Sequence, residues 1–272
     1  MMILSGCNAS DNTGEATPPL TLILSTTTSV DDSGLLDYLA PYLLAEENII
    51  LEIIAEGSGK AIQTAKDSNC DIIIAHSPKS EQEFIDEGYG INRRQIMYNY
   101  FVIVGPNDDP ANIINATNAS EAFKSIYEMY DSSKNTLFIS RDDKSGTDKE
   151  EKEIWEKANL DVDGFSQDFY YRADDKMLAT LMKADELDAY TLTDKATFLA
   201  NIDKLPNIKM LYEQNDELKN VYSVILINPE KYPDIEHDGA RRFHAWLLKD
   251  STQALIASYG QAEYNESLFF IN

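Results

Sequence analysis

The stretch LTLILSTTTSVDDSGLLDYLAPYLLAEENIILEIIAEGSGKAIQTAKDSNCDIIIA, residues 20–75, carries the pattern that decides the fold. Leu20–Ser25 is a short apolar run of β type, Leu35–Glu47 spaces its leucines three and four apart, and Ile49–Ala55 is apolar again. Ala61–Asp67 is amphipathic, Asp71–Ala75 is a third apolar run, and Ser80–Glu87 reads as a further helix. Strand, helix, strand, helix, strand at this spacing is the βαβ signature, because parallel strands need a crossover and a helix supplies it. The expected fold class is therefore α/β.

The rhythm continues outward from this stretch. Tyr98–Pro106 (YNYFVIVGP) is a long β run closed by Gly105-Pro106 and is expected to cross out of a first unit. A second unit follows, with a helix over residues 120–130, a strand at Thr136–Ser140, and helices at Thr147–Ala158 and Lys176–Ala184. Val221–Asn228 is again an apolar strand, and helices at Gly239–Lys249 and Thr252–Tyr259 carry Phe243 and Trp246 on one face. The simplest assembly is two α/β lobes, residues 20–104 plus 221–272 and residues 105–220, each built on a mixed, mostly parallel sheet flanked by helices. Crossing strands near residues 100–106 and 217–224 would leave a ligand cleft between the lobes.

The 272 residues hold 47 Asp+Glu against 23 Lys+Arg, a formal charge of −24. That field repels nucleic acid and anionic membrane surfaces, so neither is an expected partner. No stretch approaches the roughly 18 consecutive apolar residues that span a bilayer. Leu4-Ser5-Gly6-Cys7 has the small-residue pattern of a lipoprotein cleavage site, with Cys7 the residue acylated, and residues 8–19 behind it read as a polar tether. A leader needs an apolar run of about 7–15 residues. Either the start lies upstream or the likeness is accidental; the spacer favours a lipid anchor over a frayed cytosolic terminus. Cys70, at the head of an apolar run, is expected to be a small buried residue without chemistry.

Three loops join a strand to a helix and carry hydroxyls or glycine: Ser25–Ser29, Glu56–Ala61 and Ser140–Thr147. Each is compatible with ordinary helix capping. Taken together they describe a cavity for a small oxyanion, held by backbone N–H groups at helix amino termini and by hydroxyl donors, with Arg141 adding a permanent cation.

These residues resemble the tungstate-binding proteins of ABC uptake systems, the TupA family. The resemblance is carried by TTTS at Thr26–Ser29, EGSGKA at Glu56–Ala61, AHSP at Ala75–Pro78, YNYFVIVGP at Tyr98–Pro106, SRDDKSGT at Ser140–Thr147, YTLTD at Tyr190–Asp194 and NPEKYP at Asn228–Pro233. It implies a type II periplasmic-binding-protein fold that closes over one tetrahedral oxyanion and delivers it to an ABC permease, as an extracytoplasmic monomer without cofactor or catalysis. By the same resemblance Thr27, Thr28, Ser58, Arg141, Ser145 and Thr147 reach the oxyanion, with Gly146 in the same loop. The implied ligand is tungstate, with molybdate, sulfate or phosphate as alternatives and an oxyanion-handling enzyme or a sensor further off.

Protonated phosphate is best met by an acceptor, and related phosphate receptors supply a carboxylate. Here the strand end reads Ala75-His76-Ser77, so a donor-only site is expected. One stretch departs from the family pattern: Arg172-Ala173-Asp174-Asp175-Lys176-Met177 puts an acidic pair where a glycine turn is usual, which would oppose an anion if it pointed inward. His76, His237 and His244 are too scattered for metal-ligand spacing, and His76 is expected to fix a loop. Gly57–Lys60 lacks the first glycine and the final Ser/Thr of a phosphate-binding P-loop, and no GxSxG elbow occurs.

Overall fold

A computed structural model describes residues 17–133, 136–213 and 216–271. Cys7 and most of the tether lie outside the described residues. Strands β1 (Leu20–Thr27), β2 (Ile49–Glu56), β3 (Ile72–Ala75), β4 (Gly90–Pro106), β5 (Phe138–Ser140), β6 (Tyr170–Arg172), β7 (Thr191–Asp194), β8 (Ile208–Tyr212) and β9 (Lys219–Ile227) are interleaved with helices. These are α1 (Thr28–Asp32), α2 (Leu35–Glu47), α3 (Ser58–Lys66), α4 (Pro78–Asp86), α5 (Ala119–Ser133), α6 (Gly146–Lys157), α7 (Met177–Glu186), α8 (Lys195–Ala200), α9 (His237–Leu247), α10 (Asp250–Ser258) and α11 (Gln261–Tyr264).

Helix α2 shows how the pattern becomes structure. Leu35, Leu36, Leu39 and Leu43 lie on one buried face, and Asn48 ends the helix in the left-handed region (φ 51°), its N–H donating to the Leu44 carbonyl. The buried stripe packs into a cluster that includes Leu22, Leu24, Ile72, Phe243 and Trp246. A second cluster, of Phe123, Phe138, Trp155, Phe169 and Tyr190, holds α5, α6 and the strands near them.

The main sheet runs β2-β1-β3-β9-β4-β7, with β8 also on β4, while β5 and β6 pair separately. β1 is parallel to β2 and β3, and β5 is parallel to β6; β9 is antiparallel to β3 and β4, and β7 and β8 are antiparallel to β4. The sheets are mixed, as expected, but not mostly parallel. Parallel ladders occur where a helix returns the chain, and the long strands β4 and β9 bring antiparallel ones.

β4 is longer than its apolar run suggested, starting at Gly90 rather than Tyr98. Gly90–Tyr100 pairs with β9, and at Phe101 the strand changes partners to β7 and then β8. Tyr98 also exchanges backbone hydrogen bonds with Phe270, at 2.9 and 2.8 Å, which ties the carboxy-terminal segment to the same point.

Candidate functional site

β1 and β2 are parallel neighbours with Thr27 opposite Glu56, so the loops that follow them emerge side by side. The third loop leaves β5, in the other sheet, and meets the second. A Cβ on Gly57 would stand 3.4 Å from the Ser145 Cα, and one on Gly59 would stand 3.8 Å from the Lys144 carbonyl oxygen. The amino termini of α3 and α6 are therefore in van der Waals reach of each other.

The capping interpretation can be tested hydroxyl by hydroxyl. Ser145 is the N-cap of α6, and its Oγ accepts from the Asp148 N–H at 3.2 Å. Ser145 is thus a cap. Ser58 is not: the N-cap of α3 is Gly57, whose carbonyl accepts from the N–H groups of Lys60 and Ala61, both at 2.9 Å. That places Ser58 in the first helical turn, fully buried, with no hydrogen-bond partner for its Oγ. Thr147, buried in the first turn of α6, also has an unpartnered hydroxyl. Thr27 is the N-cap of α1 without a side-chain capping bond, and its hydroxyl lies 3.0 Å from that of Ser29. Thr28 opens α1 and is 3% exposed.

Arg141 is 2% exposed. One Nη binds the Asp143 carboxylate, which also accepts from the Ser145 N–H at 3.1 Å, while Nε is buried and unpartnered. A buried guanidinium with an unused donor, like a buried unpaired hydroxyl, is costly unless an acceptor reaches it. The donors in surplus here suit an oxyanion. Thr28, Gly57, Gly59 and Arg141 line a cavity of about 690 Å3 that opens past Lys60, Lys144 and Lys176. Thr27, Ser58, Ser145 and Thr147 are buried without lining it, and Gly146 lines a second cavity of about 690 Å3 beside His76.

The departing acidic segment is also placed. The N–H groups of Ala173 and Asp175 donate to the carbonyls of Ser140 and Arg141, at 2.9 and 3.3 Å. Asp174 and Asp175 are exposed at the rim of the first cavity, and the Asp175 carboxylate accepts from the Lys176 N–H at 2.7 Å. The pair thus lines the same cavity as Arg141, with both residues exposed. Among the described residues no three His, Cys, Asp or Glu side chains gather as a metal site, and no helix is long and apolar enough to cross a membrane.

The model of the PBP superfamily domain matches residues 10–251. The tungstate-binding protein TupA of Peptoclostridium acidaminophilum is 38% identical over 253 residues, covering 92% of this chain and 85% of that protein. The chain belongs to the TupA family. Two solved structures agree. The tungstate ABC transporter from Geobacter sulfurreducens has a TM-score of 0.79 at 36% identity, over 88% of this chain and 98% of that one. The tungstate-binding protein TupA from Desulfovibrio alaskensis G20 has a TM-score of 0.77 at 36% identity, over 93% and 99%. The α/β fold of this TupA-family chain is that of the type II periplasmic binding proteins.

Behind the loops the TupA-family chain holds a polar network that its sequence did not reveal. Asn99 of β4 and Asn220 of β9 stand opposite each other, and Asn220 Nδ2 donates to Asn99 Oδ1 at 2.9 Å and to the Tyr222 hydroxyl at 2.8 Å. The Tyr222 hydroxyl donates in turn to Ser29 Oγ at 3.4 Å. Asn220 Oδ1 is then the acceptor for His76 Nδ1, at 2.6 Å, which fixes the neutral tautomer. Burial keeps that imidazole uncharged, with its pKa pushed down to about 4; the Asn220 bond opposes the shift, and Arg141 and Lys149 add to it. Asp194, fully buried, caps α8 through the Thr197 N–H at 2.9 Å, and burial lifts its carboxyl to about 6. The only sequence signal for the network was a polar Asn99 inside an otherwise apolar β run.

Proposed function

We propose that this chain is an extracytoplasmic receptor that captures tungstate and delivers it to the permease of an ABC uptake system. The observation that carries the reading is the buried group of unused donors: Arg141 Nε, Ser58 Oγ and Thr147 Oγ1, close to the meeting of two helix amino termini. A tetrahedral dianion without a proton satisfies such a group. Thr27, Thr28 and the Ser145-Gly146 backbone complete the binding set. The family relatives, which include proteins named for tungstate binding, support tungstate as the ion, with molybdate as the close competitor.

The receptor works by binding and release. His76, the histidine beside the site, is held through Nδ1 by Asn220 and lies with its ring against Gly146. Lobes over residues 20–104 plus 221–272 and over residues 105–220 close by bending where β4 and β9 cross. The receptor acts as a monomer, held at the membrane through a lipid on Cys7.

Calorimetric titration of the protein lacking the tether, with tungstate, molybdate, sulfate and phosphate at fixed ionic strength, tests the reading. Tight binding of tungstate with sulfate and phosphate silent is expected. Preference for phosphate would sink the donor-only argument, and silence from all four would return the loops to plain helix starts.

A further inference from the structure

We infer that His76 is a positioning residue for oxyanion capture, a latch that holds the α6 amino terminus against the strand β3 side when the loops meet over the ligand. The inference rests on the receptor reading above. His76 follows β3, whereas Gly146 opens α6 and belongs to the loop that supplies Arg141. An ideal Cβ on Gly146 would stand 2.7 Å from His76 Cε1 and 3.0 Å from Nε2, so the imidazole occupies the space that any side chain at 146 would need. This backbone is not in a left-handed conformation, so glycine is required here by contact rather than by torsion.

The ring is held from behind as well. It stacks on Tyr222 at 5.0 Å between centroids, and Nδ1 donates to Asn220, which is bonded to Asn99 shortly before β4 changes partners at Phe101. One residue therefore touches the moving loop on one face and the crossing strands on the other. A second tie runs in parallel: Lys149 Nζ donates to Ser80 Oγ at 3.2 Å, across the same gap, from an exposed lysine. The exposed tie is weak, and the buried ring carries the contact.

Contacts made only in the closed arrangement lower the population of the open one. Without the ring, the ligand still finds the donors, but the closed form is left sooner. The expected signature is kinetic: His76→Ala speeds tungstate release about tenfold while the association rate stays within about twofold. The melting temperature of the ligand-free protein should fall too, since buried Asn220 loses a partner, so the test is read in the rates.

Stopped-flow binding of tungstate to the full chain, followed by a double-mutant cycle, tests this. In the parent, Gly146→Ala must displace the ring and should speed release by a similar factor. In the His76→Ala background the same change should add little, because the obstructing ring is gone. His76→Asn, which keeps a donor for Asn220 at the Nδ1 position but loses the face on Gly146, should fall between parent and His76→Ala. Unchanged release in His76→Ala, or additive effects in the cycle, would overturn the latch while leaving the receptor intact. A parent that binds none of the oxyanions would overturn the receptor reading, and the latch with it.

Discussion

The amino termini of α3 and α6 look alike as sequence, Gly57-Ser58-Gly59 and Ser145-Gly146-Thr147, yet their hydroxyls do different work. At α6 the serine precedes the helix and caps it, leaving Thr147 with a free hydroxyl. At α3 a glycine carbonyl starts the helix and the serine is carried into the first turn with its hydroxyl free. The lesson is positional. At these two termini the hydroxyl at the N-cap is engaged by the backbone, whereas the buried one a residue or two into the helix is left for a ligand.

Arg141, which belongs to the α6 side alone, gives the largest expected effect. Arg141→Ala removes charge-assisted bonds worth about 1.5–3 kcal/mol each, so oxyanion affinity should fall about a hundredfold or more by calorimetry. A loss within a factor of about two would remove it from the site and leave the two termini equal.

The two sides should also respond differently to pH. Glu151, buried in α6, accepts from the Tyr170 hydroxyl, which also bonds Ser140 Oγ at 2.9 Å next to Arg141. Burial raises its carboxyl to about 8, so the folded state holds a proton that the unfolded chain gives up near its ordinary value of 4.5. A folded pKa above the unfolded one means stability that is full below about pH 4.5 and lost as pH rises toward about 8, by up to about 1.4 kcal/mol per unit. Glu151→Gln, which mimics the protonated form, should flatten the fall between about pH 6 and 7.5, worth about 2 kcal/mol at full slope. Parallel melting curves for parent and variant across that window would show that Glu151 is ionised in the fold.

The smallest effects cross the comparison. Ser58→Ala and Thr147→Val should each weaken oxyanion binding by about 0.5–1.5 kcal/mol with little change in melting temperature. Ser145→Ala should do the reverse, costing about 1 kcal/mol of stability through the lost cap. If Ser58→Ala destabilised the apo-protein as much as Ser145→Ala, the distinction between the two termini would fail.

The sequence discloses these regions unevenly, for physical reasons. Helix α2 could be read to both ends, because its leucines keep one helical face and Asn48 stops it. The start of β4 could not, because Asn92, Arg93, Arg94 and Gln95 interrupt the apolar pattern and the ladder to β9 shifts register twice there. β7 and β8, of four and five residues, are too short to declare a period. Within the site, the loops were legible from glycine and hydroxyl spacing. The choice between cap and free hydroxyl was not, since it turns on which residue begins the helix. Asn99 and Asn220 meet across 121 residues of chain, a pairing fixed only by the register of two long strands.

That pairing has a consequence for the order of assembly. The first half of β4 finds its partner only when β9 has been made, and Tyr98 meets Phe270 later still. Until then the crossing strand presents unpaired backbone along Gly90–Tyr100, and the contacts that complete it are among the most distant in the chain. Such a topology defers its closure to segments far downstream, and leaves the strand that changes partners at Phe101 as one of the later parts to set.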